Sequence, residues 1–330
     1  MKKRQITIKD IAKALHISPS TVSRSLADHP DISQETKNIV NAYAREHKYK
    51  PNALALSLRT NNTKTIGVIL PQIVHYFFSS VLSGIEDEAE KGGYRVIICQ
   101  SNENYEKEVK GAQALLEARV CGVLASVAKT TTIYNHFQEL IDSDIPMVFF
   151  DRICTGILTD RVVVDDYAGV CSAVEYLIRS GCRRIAFFGS PSHLAISNNR
   201  RMGYEDALRK NGLPVDKELI KICDNYTEAL RLTPELLSLP NRPDAFFAVN
   251  DETAIGVLNV VKAKGLRIPD EVSICGFTNN SLAEVSDPLL TSVDQHGYEH
   301  LVTEGVNGTR ADTGDGGLIN NGHVSASIDR

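Results

Sequence analysis

The sequence predicts a small all-α head followed by an α/β body of two doubly wound, parallel-sheet lobes. Three observations carry this. The first 50 residues read as three short helices separated by turn signals. From residue 65 onward, apolar runs of four or five residues alternate with amphipathic stretches of helical length. Charge divides near the same place: the first 60 residues hold 11 Lys/Arg against 5 Asp/Glu, and the remainder 25 against 36. A basic head on an acidic body is the balance expected of a chain whose head meets a polyanion.

In the head, Thr7-Ile8-Lys9-Asp10 has the form of a capping box, with Thr7 as N-cap and Asp10 reaching back. Ile8, Ile11, Ala12 and Leu15 then make one apolar face, and the helix is expected to stop near His16, at a position of positive φ. Ser18 is a good N-cap and Pro19 fits the first helical position of a second helix. Only Val22 and Leu26 are clearly apolar there, so Ser20, Thr21, Ser23 and Arg24 leave a short, polar outer face. A third helix starts at Ser33 and is expected to bury Ile39, Val40 and Tyr43. Two short helices across a tight turn, the second nearly bare of bulk, make a helix-turn-helix domain over 1–50. A helix that enters a groove needs small hydrogen-bonding groups and a long cation outside, and its free first-turn amides can hold a phosphate.

Residues 51–64 read as a hinge helix and linker. Asn52 to Arg59 are mostly helix formers, but the stretch is far shorter than the ~12–15 residues an isolated helix needs in water. Three leucines there argue against a plain solvated linker.

The body spans 65–298. Strands at 66–70, 96–99, 120–124 and 147–150 alternate with helices near 79–91, 105–119 and 131–142, giving an N-lobe of about 65–161. Strands at 185–188, 245–249 and 273–277, with helices at 168–180, 199–211 and 252–264, give a C-lobe of about 162–291. Gly181, Gly212 and Gly265 close those three helices. Uninterrupted apolar strands between amphipathic helices point to parallel sheets covered on both faces. Ligands of such sheets bind at the carboxyl ends of strands, here between the lobes. Residues 299–330 are polar and glycine-rich and read as a disordered tail, or as the product of an altered reading frame.

Several classes are excluded. No apolar run approaches the ~20 residues of a membrane span, and a polar stretch rather than an export segment follows Met1-Lys2-Lys3-Arg4. The seven cysteines are widely spaced, with no C-x-x-C pair, as expected of reduced thiols in a cytoplasmic protein. There is no nucleotide-binding glycine loop, no catalytic motif and no metal-ligand cluster, so neither cofactor, metal nor enzymatic activity is expected.

Three strings now stand in order: Thr7-Ile8-Lys9-Asp10-Ile11-Ala12, then Ser18-Pro19-Ser20-Thr21-Val22-Ser23-Arg24, then Tyr49-Lys50-Pro51-Asn52-Ala53-Leu54-Ala55-Leu56-Ser57-Leu58. Together they closely resemble the lactose-repressor-like (LacI/GalR) family of bacterial transcription regulators, over residues 5 to about 298. The resemblance implies a periplasmic-binding-protein-like body and an allosteric homodimer, more a repressor than an activator. It would bind a pseudo-palindromic double-stranded DNA operator under control of a small-molecule effector, expected to be a carbohydrate. Pro19, Ser20 and Arg24 fall on base-reading positions, and Thr7, Ser18, Thr21 and Ser23 suit phosphate contacts. Leu58 matches the family's minor-groove wedge, with Asn52, Ala55 and Arg59 beside it.

For the effector, Arg200 opens a string similar to the family's R-x-x-G-[FY], Asn250-Asp251 matches its N-D, and Gln295 matches a pocket-lining glutamine. Asp151 ends a strand that would face the cleft. Phe77 and Phe78 follow the first strand and suit either stacking on a sugar ring or core packing. Two departures stand out: Thr278-Asn279 replaces an aspartate that many members carry, and the family pattern ends after Tyr298. The rival readings are an exported sugar-binding protein, which shares the two-lobed body, and an α/β enzyme with a DNA-binding head.

Overall fold

A computed structural model describes residues 6–49 and 63–298 and the backbone of 318–320. The chain divides into two compact units, Met1–Thr63 and Lys64–Arg330.

The first unit holds α1 (Ile8–Ala14), α2 (Pro19–Leu26) and α3 (Gln34–Glu46). Local chemistry sets each boundary. The Asp10 amide donates to Thr7 Oγ1 while the Asp10 carboxylate accepts from the Thr7 amide at 2.8 Å, so the box closes as read. The chain leaves α1 through His16 at φ +55°, and Ser18 Oγ accepts from Thr21 N at 3.0 Å to start α2 behind Pro19. Ile11, Ala12, Val22, Val40 and Ala44 form the core. Full burial of Ile11, Val22 and Val40 is worth about 1.5–3 kcal/mol each.

Ile39 departs from expectation and is 51% exposed. The inward stripe of α3 is phased on Val40 and Ala44, one turn apart, which turns Ile39 outward. Lys37 completes that stripe: its stem is buried and its Nζ sits 2.8 Å from Asp28. The expected hinge at 51–64, with Asn52, Ala55, Leu58 and Arg59, lies outside the described residues except for Thr63 and Lys64.

The second unit holds two sheets. One contains β1 (Thr65–Leu70), β2 (Arg95–Gln100), β3 (Gly122–Ala125), β4 (Met147–Phe150) and β5 (Asp160–Val162) in the order β2-β1-β3-β4-β5, all parallel. The other contains β6 (Ile185–Gly189), β7 (Ile220–Ile222), β8 (Ala245–Ala248), β9 (Ser273–Thr278), β10 (Thr291–Asp294) and β11 (Leu318–Asn320). Its order is β11-β10-β9-β8-β6-β7, parallel except where β11 runs antiparallel to β10. Setting β11 aside, the two sheets share one winding pattern, the doubly wound order 2-1-3-4-5. Residues 318–320, which the sequence assigns to the polar tail, thus form an edge strand; the rest of 299–330 lies outside the described residues.

Each sheet is covered on both faces, because alternate strand residues point to opposite sides. Ile69 and Phe149 face α5 (Tyr105–Glu117) and α6 (Asn135–Asp142), where Leu115 and Phe137 pack. Val68, Leu70 and Phe150 face α4 (Tyr76–Lys91), packing on Phe77, Phe78, Val81 and Ile85. In the second sheet, Phe187 and Phe247 meet α7 (Asp166–Arg179) and α8 (Ala195–Lys210). Phe188 and Phe246 meet α9 (Tyr226–Leu237), α10 (Asp251–Ala263) and α11 (Ser281–Val285).

Gly181, Gly212 and Gly265 follow α7, α8 and α10 at φ +103°, +71° and +71°, the left-handed stop that glycine adopts without strain. Gly203 has another task. A Cβ there would lie 2.6 Å from the Tyr167 carbonyl oxygen, so the glycine of the R-x-x-G-Y string is what lets α8 seat against α7.

Candidate functional site

In the head, α2 presents Pro19, Ser20 and Arg24 exposed, with Thr21 and Ser23 half-buried beside them. Ser18 Oγ lies 2.7 Å from Ser20 Oγ and 2.8 Å from Thr21 Oγ1, so the hydroxyls of the first turn are gathered at one point. Thr7 is exposed at the start of α1. Ser25 is buried and donates back to the Thr21 carbonyl at 2.8 Å, which anchors the inner face. The guanidinium of Arg24 has no partner among the described residues. The result is a capped helix end offering small donors and one long cation to whatever meets it.

The second site is a cleft of about 280 Å³ between the two sheets. It opens where the doubly wound order places it. Its walls come from segments following β1 (Gln72, His75), β3 (Lys129) and β4 (Asp151, Arg152) on one side. Segments following β6 (Ser190), β7 (Asp224, Asn225) and β8 (Val249, Asn250) make the other. In each sheet the first and third strands flank the point where the winding reverses, and their diverging loops leave the space.

Arg200 forms one end of the cleft. Its Nε donates to Asp166 Oδ1 at 2.8 Å and its Nη1 to the Val249 carbonyl at 2.8 Å. The guanidinium also lies 4.1 Å from the centroid of the Phe277 ring. All of this is buried, and burial, outweighing the pull of Arg200, lifts the Asp166 carboxyl to about 6. Arg152 sits opposite, with Nη1 2.8 Å from both carboxylate oxygens of Glu103 and Nε 3.9 Å from Asp151 Oδ2. Glu103 also accepts from the Lys129 amide at 2.7 Å. Lys129 Nζ then crosses to Asp224 Oδ2 at 2.7 Å, and His193 Nε2 lies 2.5 Å from the Lys129 carbonyl, so this loop joins the two lobes.

Asp151 is 9% exposed and stands at φ +57°. Burial raises its carboxyl above the usual range. Burial likewise lowers the His75 imidazole, whose Nδ1 has no hydrogen-bond partner. Thr278 donates to Gln295 Oε1 at 2.9 Å and adopts φ +124°, a strained conformation for a β-branched residue.

Of the residues singled out from sequence, Phe77, Phe78, Asp151, Arg200, Asn250, Thr278 and Gln295 therefore meet at one cleft. Phe77 and Phe78 do so while almost wholly buried. They lie in the first turn of α4, which starts three residues earlier than expected, and are 3% and 2% exposed in the core beneath the sheet. Their faces are already occupied, Phe78 by Phe77, Phe150 and Arg152. Asp251 does not line the cleft. Fully buried, it accepts from the Asn280 amide at 2.7 Å and from Ser292 Oγ, tying the end of β9 to β10. Asn250 serves partly as a cap, accepting from Thr253 N at 2.8 Å.

Sequence reading missed Glu103, Lys129, Arg152 and Asp224, each of which resembles a surface charge when seen alone. The signal that finds them is position: each stands within four residues of the carboxyl end of a strand.

Asp166 yields a pH test. Its folded-state pKa of about 6 exceeds the ordinary 3.8. The folded state therefore holds the proton more tightly, and stability from this group falls as pH rises from about 4 to 6. Measured by denaturant titration, the wild type should lose up to about 3 kcal/mol relative to Asp166→Asn across that window. A flat difference would show that the carboxyl ionises normally.

Residues 7–52 match the family of bacterial regulatory proteins, lacI family, and residues 63–303 match periplasmic binding proteins and sugar binding domain of LacI family. The HTH-type transcriptional repressor PurR of Vibrio atlanticus (strain LGP32) is 33% identical over 293 residues, 88% of this chain and 86% of that one. Catabolite control protein A of Priestia megaterium is 32% identical over 296 residues, 89% of each. Among solved structures, the lac repressor dimer bound to operator and the anti-inducer ONPF superposes with a TM-score of 0.80 at 21% identity, over 91% of this chain and 90% of that one.

Proposed function

The chain belongs to the LacI family of bacterial regulatory proteins, and from that premise we propose that a small polar effector held between its lobes sets its affinity for operator DNA. It is a DNA-binding transcription regulator, with a helix-turn-helix unit at residues 7–52 and an effector-binding body, and we take it to act as a dimer. We take it to be a repressor, as the names of its PurR and CytR relatives favour, to act in the cytoplasm, where operator DNA lies, and to work by binding rather than by turnover. The exported-binding-protein and enzyme readings have no comparable support.

The observation that carries the proposal is the pairing, in one chain, of an exposed α2 face bearing Ser20 and Arg24 with a buried polar cleft built on strand ends. In the dimer, two α2 helices would enter successive major grooves. Arg24 would read a guanine edge and Ser20 a neighbouring base, while Thr7, Ser18, Thr21 and Ser23 would fix register on phosphates. Pro19 offers no side-chain donor and would contribute shape. Asn52, Ala55, Leu58 and Arg59 would pack as paired hinge segments in the minor groove, with Leu58 as the wedge. An effector that favours one lobe arrangement by roughly 1–3 kcal/mol changes operator affinity about 5–150-fold.

Mobility shift on promoter fragments, against random duplex of equal length, tests this. Arg24→Ala should weaken the specific complex by about 1–3 kcal/mol and barely change binding to random duplex. Leu58→Ala should reduce the bend of the bound DNA. If the wild type shows no preference for any promoter fragment at low salt, the reading is wrong.

A further inference from the structure

The cleft is already saturated in charge. Each of its cations has a carboxylate of its own: Arg200 with Asp166 at 2.8 Å, Arg152 with Glu103 at 2.8 Å, and Lys129 with Asp224 at 2.7 Å. Arg200 is further satisfied by the Val249 carbonyl. Two carboxylates on the wall are left over, the exposed Glu252 and the buried Asp151, so the surplus charge is anionic. Asp151 is nine-tenths buried, lines the cleft, and accepts no hydrogen bond from any described residue; its nearest cation is Arg152 Nε at 3.9 Å. His75, the remaining basic side chain on the wall, is held neutral by burial, with Arg152 and Lys129 acting the same way and Asp151 and Glu103 opposing.

From this arrangement we infer that the cleft takes a carbohydrate bearing hydroxyl or amine donors and no anionic group, and that Asp151 selects it. The inference rests on the effector-site reading above and narrows it. A phosphate or carboxylate on the ligand has two options. It can displace Glu103 or Asp224 from its cation, which leaves a largely buried carboxylate without its counter-charge. Or it can lie in the field of Asp151, where like charge repels it in a site of low dielectric. A sugar hydroxyl or ammonium meets neither obstacle. It donates to Asp151, supplying the hydrogen bond that the protein withholds, and its oxygens accept from the unused N–H groups of Arg200. The left-handed backbone of Asp151 fits this role, since the chain holds that carboxylate at the cleft in a conformation few residues other than glycine adopt freely.

The experiment is a matched panel on the full-length dimer, read by thermal shift and calorimetry. Glucose, ribose, glucosamine and a nucleoside are each set against the corresponding phosphate, and glucose also against gluconate. At least one neutral or amino member should bind, at least tenfold tighter than its phosphorylated or carboxylated counterpart. An anionic member that binds as tightly or more tightly overturns the inference, as does a panel in which nothing binds. Asp224→Asn frees Lys129 and should narrow the gap between neutral and phosphorylated members by about tenfold. A folded variant with the wild-type gap unchanged also overturns it, and Glu103→Gln, which frees Arg152, repeats the test from the other pair. The regulator reading fails separately: a chain that binds a neutral sugar but prefers no promoter fragment sinks that reading and leaves this one standing.

Discussion

Replacing Arg200 with alanine should cost the two-lobed unit roughly 3–5 kcal/mol, the usual penalty for removing one partner of a buried ion pair. The substitution leaves Asp166, 4% exposed, as a carboxylate without its counter-charge, and leaves the Val249 carbonyl without its donor. It also removes a guanidinium lying on the Phe277 face, a contact worth about 0.5–2 kcal/mol. Equilibrium denaturation at pH 7.5 reads the loss, and a midpoint like that of wild type would show that the pair is dispensable. The variant is also expected to lose its effector response, so stability and response must be separated. The double substitution Arg200→Met with Asp166→Leu does so. Two apolar side chains in place of a buried pair often restore stability, whereas no effector response should return. If response does return, Arg200 supports the cleft without touching the ligand.

Glu108→Ala should be nearly as damaging, although Glu108 lines no cleft. It is fully buried on α5, and its carboxylate accepts from the Ala128 amide at 2.6 Å and from Thr131 Oγ1 at 2.7 Å, with His136 Nε2 at 3.0 Å. Alanine leaves all three without that partner in a site closed to water. At about 1–3 kcal/mol for each stranded group, softened by relaxation, the expected loss is roughly 3 kcal/mol or more. For a unit of this size that corresponds to a fall in Tm of about 6–12 °C. The loop so released carries Lys129 and its link to Asp224, so faster hydrogen exchange at the Ala128 amide should accompany the fall. Glu108→Gln keeps an acceptor and should lose less. A Tm for Glu108→Ala within a degree of wild type would mean that the loop is held from elsewhere.

How much of this was legible in sequence depended on how local the cause was. The head was readable almost to the residue, because capping hydroxyls, Pro19 and the positive φ at His16 are decided by near neighbours. The exception, Ile39 against Val40, turned on the phase of a helix, which only its packing partners fix. The apolar strands of the body gave the two lobes and their covered sheets. The strands β5, β7 and β10 were missed because three or four residues of mixed polarity carry too little pattern. Helix α9 was missed because Pro234, which sits inside it, reads as a breaker in isolation. In the cleft, Arg200, Asn250 and Gln295, which family strings mark, line the wall, whereas Asp251 of the same N-D string does not. The charge pairs that complete it join residues as far apart in the chain as Glu103 and Arg152, or Lys129 and Asp224, and no local periodicity reports such a meeting.

The side chains proposed to distinguish one ligand from another, Lys129, Asp151, Arg152 and Asp224, all lie beyond the last residue of their strand. They can be exchanged without shifting the ladder of any sheet or opening either hydrophobic layer. On that proposal, ligand preference and architecture are written in different parts of the chain, so a change of ligand need not endanger the scaffold. Arg200 and Asp166 are where the two scripts overlap, and retuning the receptor at that point would put its folding at risk.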